Sequence, residues 1–197
     1  MGEMHARKRG LRRDILARRS LLTQEDVQNT AAVLAERALT LTELANARTV
    51  AAYVSVGREP GTLPLLDALR ERGTRVLLPV LLPDNDLDWG AYPGAESLVP
   101  AGRGLREPPA PYLGPAAVAE ADVVLLPGLA VDARGVRLGR GGGSYDRVLD
   151  RLRQAGARPT LAVLLYDDEV LPDVPAEAHD LPVDAAVTPS GVRYVGH

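Results

Sequence analysis

The chain contains no cysteine and no phenylalanine, one tryptophan and three histidines. Without cysteine there are no disulfides, no thiolate nucleophile and no sulfur-ligated metal. Two of the histidines, His5 and His197, lie at the termini, so only His179 is placed to serve a catalytic triad. Long apolar runs are missing as well. Nothing approaches the roughly 18 residues a membrane helix needs, and "LAVLLY" (161–166) is among the longest runs. The basic N-terminus is not followed by an apolar stretch, which argues against a secretory signal. A net charge of −3 argues against nucleic-acid binding, which asks for a basic domain. These absences leave the expectation of a cytoplasmic monomer with a small-molecule partner, and neither nucleic acid nor membrane.

Lysine is almost absent too. Of the 23 lysines and arginines, all but Lys8 are arginine. With Ala, Gly, Pro and Arg abundant, the composition fits drift toward GC-rich codons, which replaces lysine wherever arginine serves. A lysine that survives is a candidate for a role needing a compact point charge rather than a planar fork. It sits in a basic stretch where Arg7, Lys8, Arg9, Arg12, Arg13, Arg18 and Arg19 face a single acidic residue, Asp14. Such a run reads either as a solvated helix face or as an arm offering charge to an anion.

What is present is a core-forming chain: 197 residues, 46% hydrophobic, enough for one domain. Residues 4–19 and 23–45 read as two helices, the second opened by a Thr23–Asp26 capping box. From there, apolar strands alternate with helices. Strands are expected at 49–55, 74–80, 87–92, 121–127, 160–166 and 183–189, and helices at 62–73, with Thr62 as N-cap, and at 144–156. Residues 93–120, rich in Pro and Gly, read as a surface excursion. The pattern predicts an α/β fold, a three-layer Rossmann-like sheet, mostly parallel, with an N-terminal helical arm (1–45) on a core (46–197). Ligands then collect beyond the strands' carboxyl ends, at the loops after Ser55, Val80, Pro127, Tyr166 and Thr188.

Among those loops, "RLGRGGGSYDR" (137–147) places four glycines among three arginines before a helix. Glycines let the backbone approach a ligand, helix N-terminal amides favour an anion, and Arg137 and Arg140 add charge-assisted bonds, so the stretch reads as a phosphate cradle. It is not a Walker loop, since GK[ST] is absent, and Ser144 breaks the dinucleotide G-x-G-x-x-G. Asp146 likewise breaks a G-x-S-x-G nucleophile elbow. "DNDLDWG" (84–90) mimics a calcium loop, but Trp89 and Ala95 stand where glycine and glutamate are required. Its aspartates read as a turn, and Trp89 as core or a stacking surface. Glu59, in "SVGREPGT", is placed either to accept hydrogen bonds from an amino-pyrimidine edge or to face water. Asp180 precedes a strand and is by itself a turn aspartate.

In order and spacing, "KRGLR" (8–12), "YVSVGREPGT" (53–62), "GLREP" (104–108), "LPGLAVDARGVRLGRGGGSYDR" (126–147) and "HDLPVDAAVTP" (179–189) resemble 5-formyltetrahydrofolate cyclo-ligases over nearly the whole chain. The resemblance implies ATP- and Mg2+-dependent conversion of 5-formyltetrahydrofolate to 5,10-methenyltetrahydrofolate through phosphorylation of the formyl oxygen. It implies that Lys8 and Arg12 contact nucleotide phosphates together with Arg137, Leu138, Gly139, Arg140, Gly141, Gly142, Gly143, Ser144 and Tyr145. Val54 and Glu59 would line the folate pocket, Arg140 to Ser144 would sit where the two substrates meet, and Asp146 and Asp180 would hold magnesium. Lys8 and Arg140 are the implied catalytic residues. The chain departs from many relatives at Ser144, where they carry an aromatic residue, and at Val131, where they carry phenylalanine. Two rival readings are a sugar-phosphate isomerase-like or acyl-CoA-handling enzyme, needing no ATP, and a folate- or nucleotide-binding protein without turnover.

Overall fold

A computed structural model describes residues 2–178 and 180–196. His179, the histidine open to a triad, therefore lies outside the described residues. Helices α1 (Gly2–Ser20), α2 (Gln24–Ala38) and α3 (Thr42–Ala45) precede β1 (Thr49–Ala51), α4 (Leu63–Glu71), β2 (Arg75–Leu81) and β3 (Leu87–Ala91). Two short strands, β4 (Val99–Pro100) and β5 (Arg106–Glu107), follow, and then β6 (Val123–Leu126). Next come β7 (Ala130–Val131), β8 (Arg137–Leu138), α5 (Ser144–Gln154), β9 (Thr160–Leu164), β10 (Ala185–Thr188) and β11 (Gly191–Tyr194).

Seven strands form one sheet in the order β11-β10-β9-β6-β1-β2-β3. The inner five run parallel, and β3 and β11 pair antiparallel at the edges. Alternation along the strands builds two cores. Val123 and Leu125 of β6 face Leu34, Leu44, Leu66 and Leu69 of the first three core helices, α2 to α4. Val124 and Leu126 face Trp89, Val118 and α5's Val148, Leu149 and Leu152. The fold is thus a three-layer α/β sheet, as the strand–helix alternation predicts. A third, smaller cluster (Ile15, Leu129, Ala130, Leu138 and Val174) docks α1 against the β7–β8 hairpin.

Several boundaries differ from the sequence reading, each for a physical reason. The helix expected over 23–45 keeps its capping box, with the Thr23 and Asp26 side chains each bonded to the other's backbone N–H, but it stops at Ala38. The chain turns there, which lets Leu41 and Leu44 both reach full burial. Thr62 does not cap α4 with its side chain. Its Oγ1 accepts the Ser55 N–H at 2.9 Å while Ser55 Oγ accepts the Thr62 N–H at 3.1 Å, closing the 55–62 loop on itself. The strand expected over 49–55 leaves the ladder after Ala51, so Tyr53 and Val54 turn beyond the sheet. The 93–120 excursion carries the β4–β5 pair, the β7–β8 hairpin lies within the 126–147 block, and β11 extends the sheet past the strand expected last. Trp89 and Val131 are both fully buried core residues.

Candidate active site

Strand order makes β1 the point from which the sheet grows both ways, β2 on one side and β6 on the other. Loops leaving the carboxyl ends of β1 and β6 therefore diverge, and the crevice between them is where open α/β sheets bind ligands. A cleft of about 460 Å³ lies there, within the range of small-molecule sites. Tyr53, Val54, Val56 and Glu59 line it after β1, and Pro127 and Gly128 after β6. Pro79, Leu81 and Asn85 line it from β2 and its turn, and Arg103, Leu105, Arg106 and Glu107 close the far side. Among the described residues, none from the Tyr166 loop or the Thr188 loop lines it.

The glycine loop forms the remaining wall. Gly139 to Asp146 all border the cleft, as does Arg137. Gly141 (φ +92°) and Gly143 (φ +77°) adopt conformations that side chains rarely tolerate, and Gly143 is the N-cap of α5. The first-turn amides of α5 thus open toward the cleft, an arrangement suited to an anion. Leu138 is different. Its side chain is 1% exposed in the small core under α1, and its carbonyl accepts the Leu129 N–H at 2.7 Å.

Charge within the cleft is paired tightly. Glu59, 9% exposed, accepts the Val56 N–H at 2.8 Å and Arg140 Nε at 3.0 Å. Arg137 donates to the Pro127 carbonyl at 2.8 Å and lies 3.5 Å from Asp146, while its buried Nε has no hydrogen-bond partner among the described residues. Burial pushes the Arg137 pKa down, and Asp146 pulls the other way. The Tyr145 phenol is likewise buried and unpartnered among the described residues. Burial first, then the Glu59 charge, raise the pKa of Tyr53 and Tyr145.

Lys8, Arg12 and Asp180 stand behind this wall. Arg12 Nε donates to the Gly139 carbonyl at 2.8 Å, and its guanidinium rests against Gly141. Lys8, 7% exposed, places Nζ 2.7 Å from Glu177 and 2.8 Å from Asp180. Burial disfavours its ammonium, but the bonds to Asp180 and Glu177 outweigh that and raise its pKa. Sequence reasoning did not single out Glu177, Tyr53 or Gly128. Tyr53, Gly128 and Arg106 lie within the stretches that carry the resemblance, and Asn85 within the stretch that mimics a calcium loop. Glu177 carries no local signal, because its partner lies 169 residues away.

A family model described as the 5-formyltetrahydrofolate cyclo-ligase family matches residues 4–189. The chain belongs to that family. It is 51% identical over 148 residues to a 5-formyltetrahydrofolate cyclo-ligase of Mycolicibacterium smegmatis, covering 72% of this chain and 74% of the other. Against the cyclo-ligase of Escherichia coli K12 the identity is 35% over 181 residues, covering 90% and 98%. Among solved structures, the 5,10-methenyltetrahydrofolate synthetase of Aquifex aeolicus matches with a TM-score of 0.79 at 26% identity, covering 95% of this chain and 92% of that one. In this member of the family the cleft, the glycine loop and the inner face of α1 lie beyond the carboxyl ends of the central strands.

For magnesium, the donor set has the right chemistry. Asp146 offers an exposed carboxylate on the cleft wall, and Asp180 a second one beside Lys8. No cluster of three or more metal-ligating side chains occurs among the described residues. Magnesium usually takes one or two carboxylates, phosphate oxygens and waters, so Asp146 suits it by chemistry, whereas Asp180 does not line the cleft and accepts Lys8 Nζ and the Glu177 N–H at 2.8 Å each.

Proposed function

We propose that the chain catalyses the ATP-dependent conversion of 5-formyltetrahydrofolate to 5,10-methenyltetrahydrofolate, releasing ADP and phosphate. The observation that carries this reading is the junction of Glu59 and Arg140. One arginine of the glycine loop is paired at 3.0 Å with the carboxylate of the β1 loop, so a phosphate wall and a heterocycle wall meet at one place. In the reaction the formyl oxygen bonds to the γ-phosphorus as the bond to ADP breaks. The folate's neighbouring amine then attacks the activated carbon, loses its proton and displaces phosphate.

This chain's residues act by position and charge, as suits phosphoryl transfer. Glu59 accepts hydrogen bonds from the amino-pyrimidine edge, and Val54 packs beside it. Amides of Gly139 to Tyr145 receive phosphate oxygens, and Arg137, Arg140, Lys8 and Arg12 offset their charge. Asp146 and Asp180 would hold magnesium, which would supply positive charge beside the phosphates. Ser144 leaves space where an aromatic side chain would pack on the folate.

Absorbance of the methenyl product, followed with and without ATP and magnesium, tests this. Turnover that requires both supports it. Binding of folate and ATP without turnover would make the chain a binding protein, and activity indifferent to ATP would point to another enzyme.

A further inference from the structure

Arg19 ends the inner face of α1, and nothing in the proposed chemistry uses it. Lys8, Arg12, Ile15 and Arg19 recur at helical spacing along that face, and Arg19 is 3% exposed. Its Nε and Nη2 meet the two oxygens of Glu169, itself 1% exposed, at 2.7 and 2.8 Å. Nη2 also donates to the Gly128 carbonyl at 2.8 Å, on the cleft wall after β6. The guanidinium carbon lies 5.6 Å from the centre of the Tyr166 ring, a cation–π distance. Glu169 accepts the Tyr166 N–H at 3.0 Å, and the Tyr166 hydroxyl donates to the Arg58 carbonyl at 3.1 Å, one residue before Glu59.

One guanidinium therefore ties α1 to loops after three strands, β1, β6 and β9. A buried ion pair is a weak source of stability, because desolvation offsets most of the attraction and apolar side chains often serve as well. What a planar fork with five donors supplies is orientation. Arg19 lies eleven residues from Lys8 on one helix, about 16 Å at helical rise, so a tilt of about 10° there displaces Lys8 by about 3 Å.

We propose that Arg19, through Glu169 and Tyr166, is a positioning residue that sets α1 and the Glu59 loop in register across the cleft. The catalytic consequence rests on the reading of α1 as a phosphate-binding face and of Glu59 as the folate acceptor.

Lys8 supplies a reporter that needs no activity, since it is the chain's only lysine. Labelling of Lys8 by a mild amine reagent, relative to the N-terminal amine, is compared among the wild type, Arg19→Gln, Glu169→Gln, Tyr166→Phe and Leu44→Ala. Michaelis constants and Tm are measured on the same proteins. Leu44 is buried in the opposite layer and is the control for lost stability alone. Arg19→Gln and Glu169→Gln are expected to speed Lys8 labelling about fivefold by loosening α1, and to raise KM for both substrates about tenfold by misplacement. Tyr166→Phe is expected to raise KM for folate and spare ATP. Leu44→Ala lowers Tm and changes neither labelling nor KM.

If Arg19→Gln fails to fold, Glu169→Gln and Tyr166→Phe carry the test. Wild-type labelling and KM values in these variants, with only Tm lowered, would overturn the proposal. Faster labelling with both KM values unchanged would overturn it differently: the lock would stand, and α1 would be removed from the phosphate site.

Discussion

The arm and the glycine loop are both rich in arginine, and they are fixed in opposite ways. On α1 the Lys8 and Arg19 side chains are almost fully buried and hold acidic partners at 2.7–2.8 Å. On the loop, Gly141 and Gly142 are exposed and the Arg140 side chain is half in solvent. The arm presents side-chain charge from a rigid helix, whereas the loop presents backbone amides from a segment without side chains of its own to pack. The loop depends on neighbours for its shape: Arg12 holds the Gly139 carbonyl, Glu59 holds Arg140, and Arg151 clamps α5 to Asp86 with bonds of 3.0 and 2.6 Å. A similar composition thus serves two functions, rigid support and adaptable contact.

The most severe break of this comparison is Asp146→Asn, at the loop's exit into α5. It preserves shape but removes the exposed carboxylate proposed for magnesium. Turnover should fall about 10²–10³-fold, the scale for losing one stabiliser of transition-state charge. Folate binding, measured separately, should be retained; unchanged turnover at low magnesium would remove Asp146 from the site. Next comes Glu59→Gln, which leaves a ligand donor unpaired. A lost bond to a charged group costs about 1.5–3 kcal/mol, or roughly tenfold to a hundredfold in folate affinity. Titration should show ATP affinity nearly unchanged, and the opposite pattern would contradict the assignment.

Acid should sharpen the comparison at the loop's anchor. Bonds from Arg151 hold the Asp86 pKa below its ordinary 3.8, against its partial burial. A carboxylate depressed in the folded state stabilises above its unfolded pKa, and loses that contribution as pH falls through the folded value. Wild type should therefore exceed Asp86→Asn in stability by about 1–2 kcal/mol at neutral pH, with the gap closing below pH 3.8. A gap that persists in acid would mean that packing, not charge, supplies the anchor. Smallest of all is Arg13→Ala on the arm's outer face, where the side chain is 80% exposed beside Asp14. Its effect on stability should stay within about 0.5 kcal/mol, and a larger change in denaturation would show that the outer face is not merely solvated.

Periodicity and capping made the layers legible. The Thr23–Asp26 box, the apolar strand runs and the glycine-to-helix transition are all local signals, and the structure has each of them. What escaped depends on distant partners. An arginine bound for burial looks like its solvated neighbours until Glu169, 150 residues away, is placed against it. Two-residue strands such as β7 and β8 are too short to show a period, yet their hairpin is what α1 docks on. Strand direction was equally silent, because the short turns before β3 and β11 are what reverse the chain. Gly139 to Asp146 were legible as one site because they are contiguous, whereas Glu177 was not, because Lys8, which it holds, lies 169 residues away.

The central claim is that α1 and the glycine loop close on one nucleotide, with Lys8 as a phosphate contact. Labelling rates at Lys8 and at the N-terminal amine, measured with saturating magnesium–ATP, with folate alone and with neither, test it directly. The account predicts that magnesium–ATP slows labelling at Lys8 while sparing the N-terminus, that folate alone protects weakly, and that Lys8→Arg impairs turnover although charge is kept. Labelling indifferent to ATP, together with a fully active Arg variant, would contradict it.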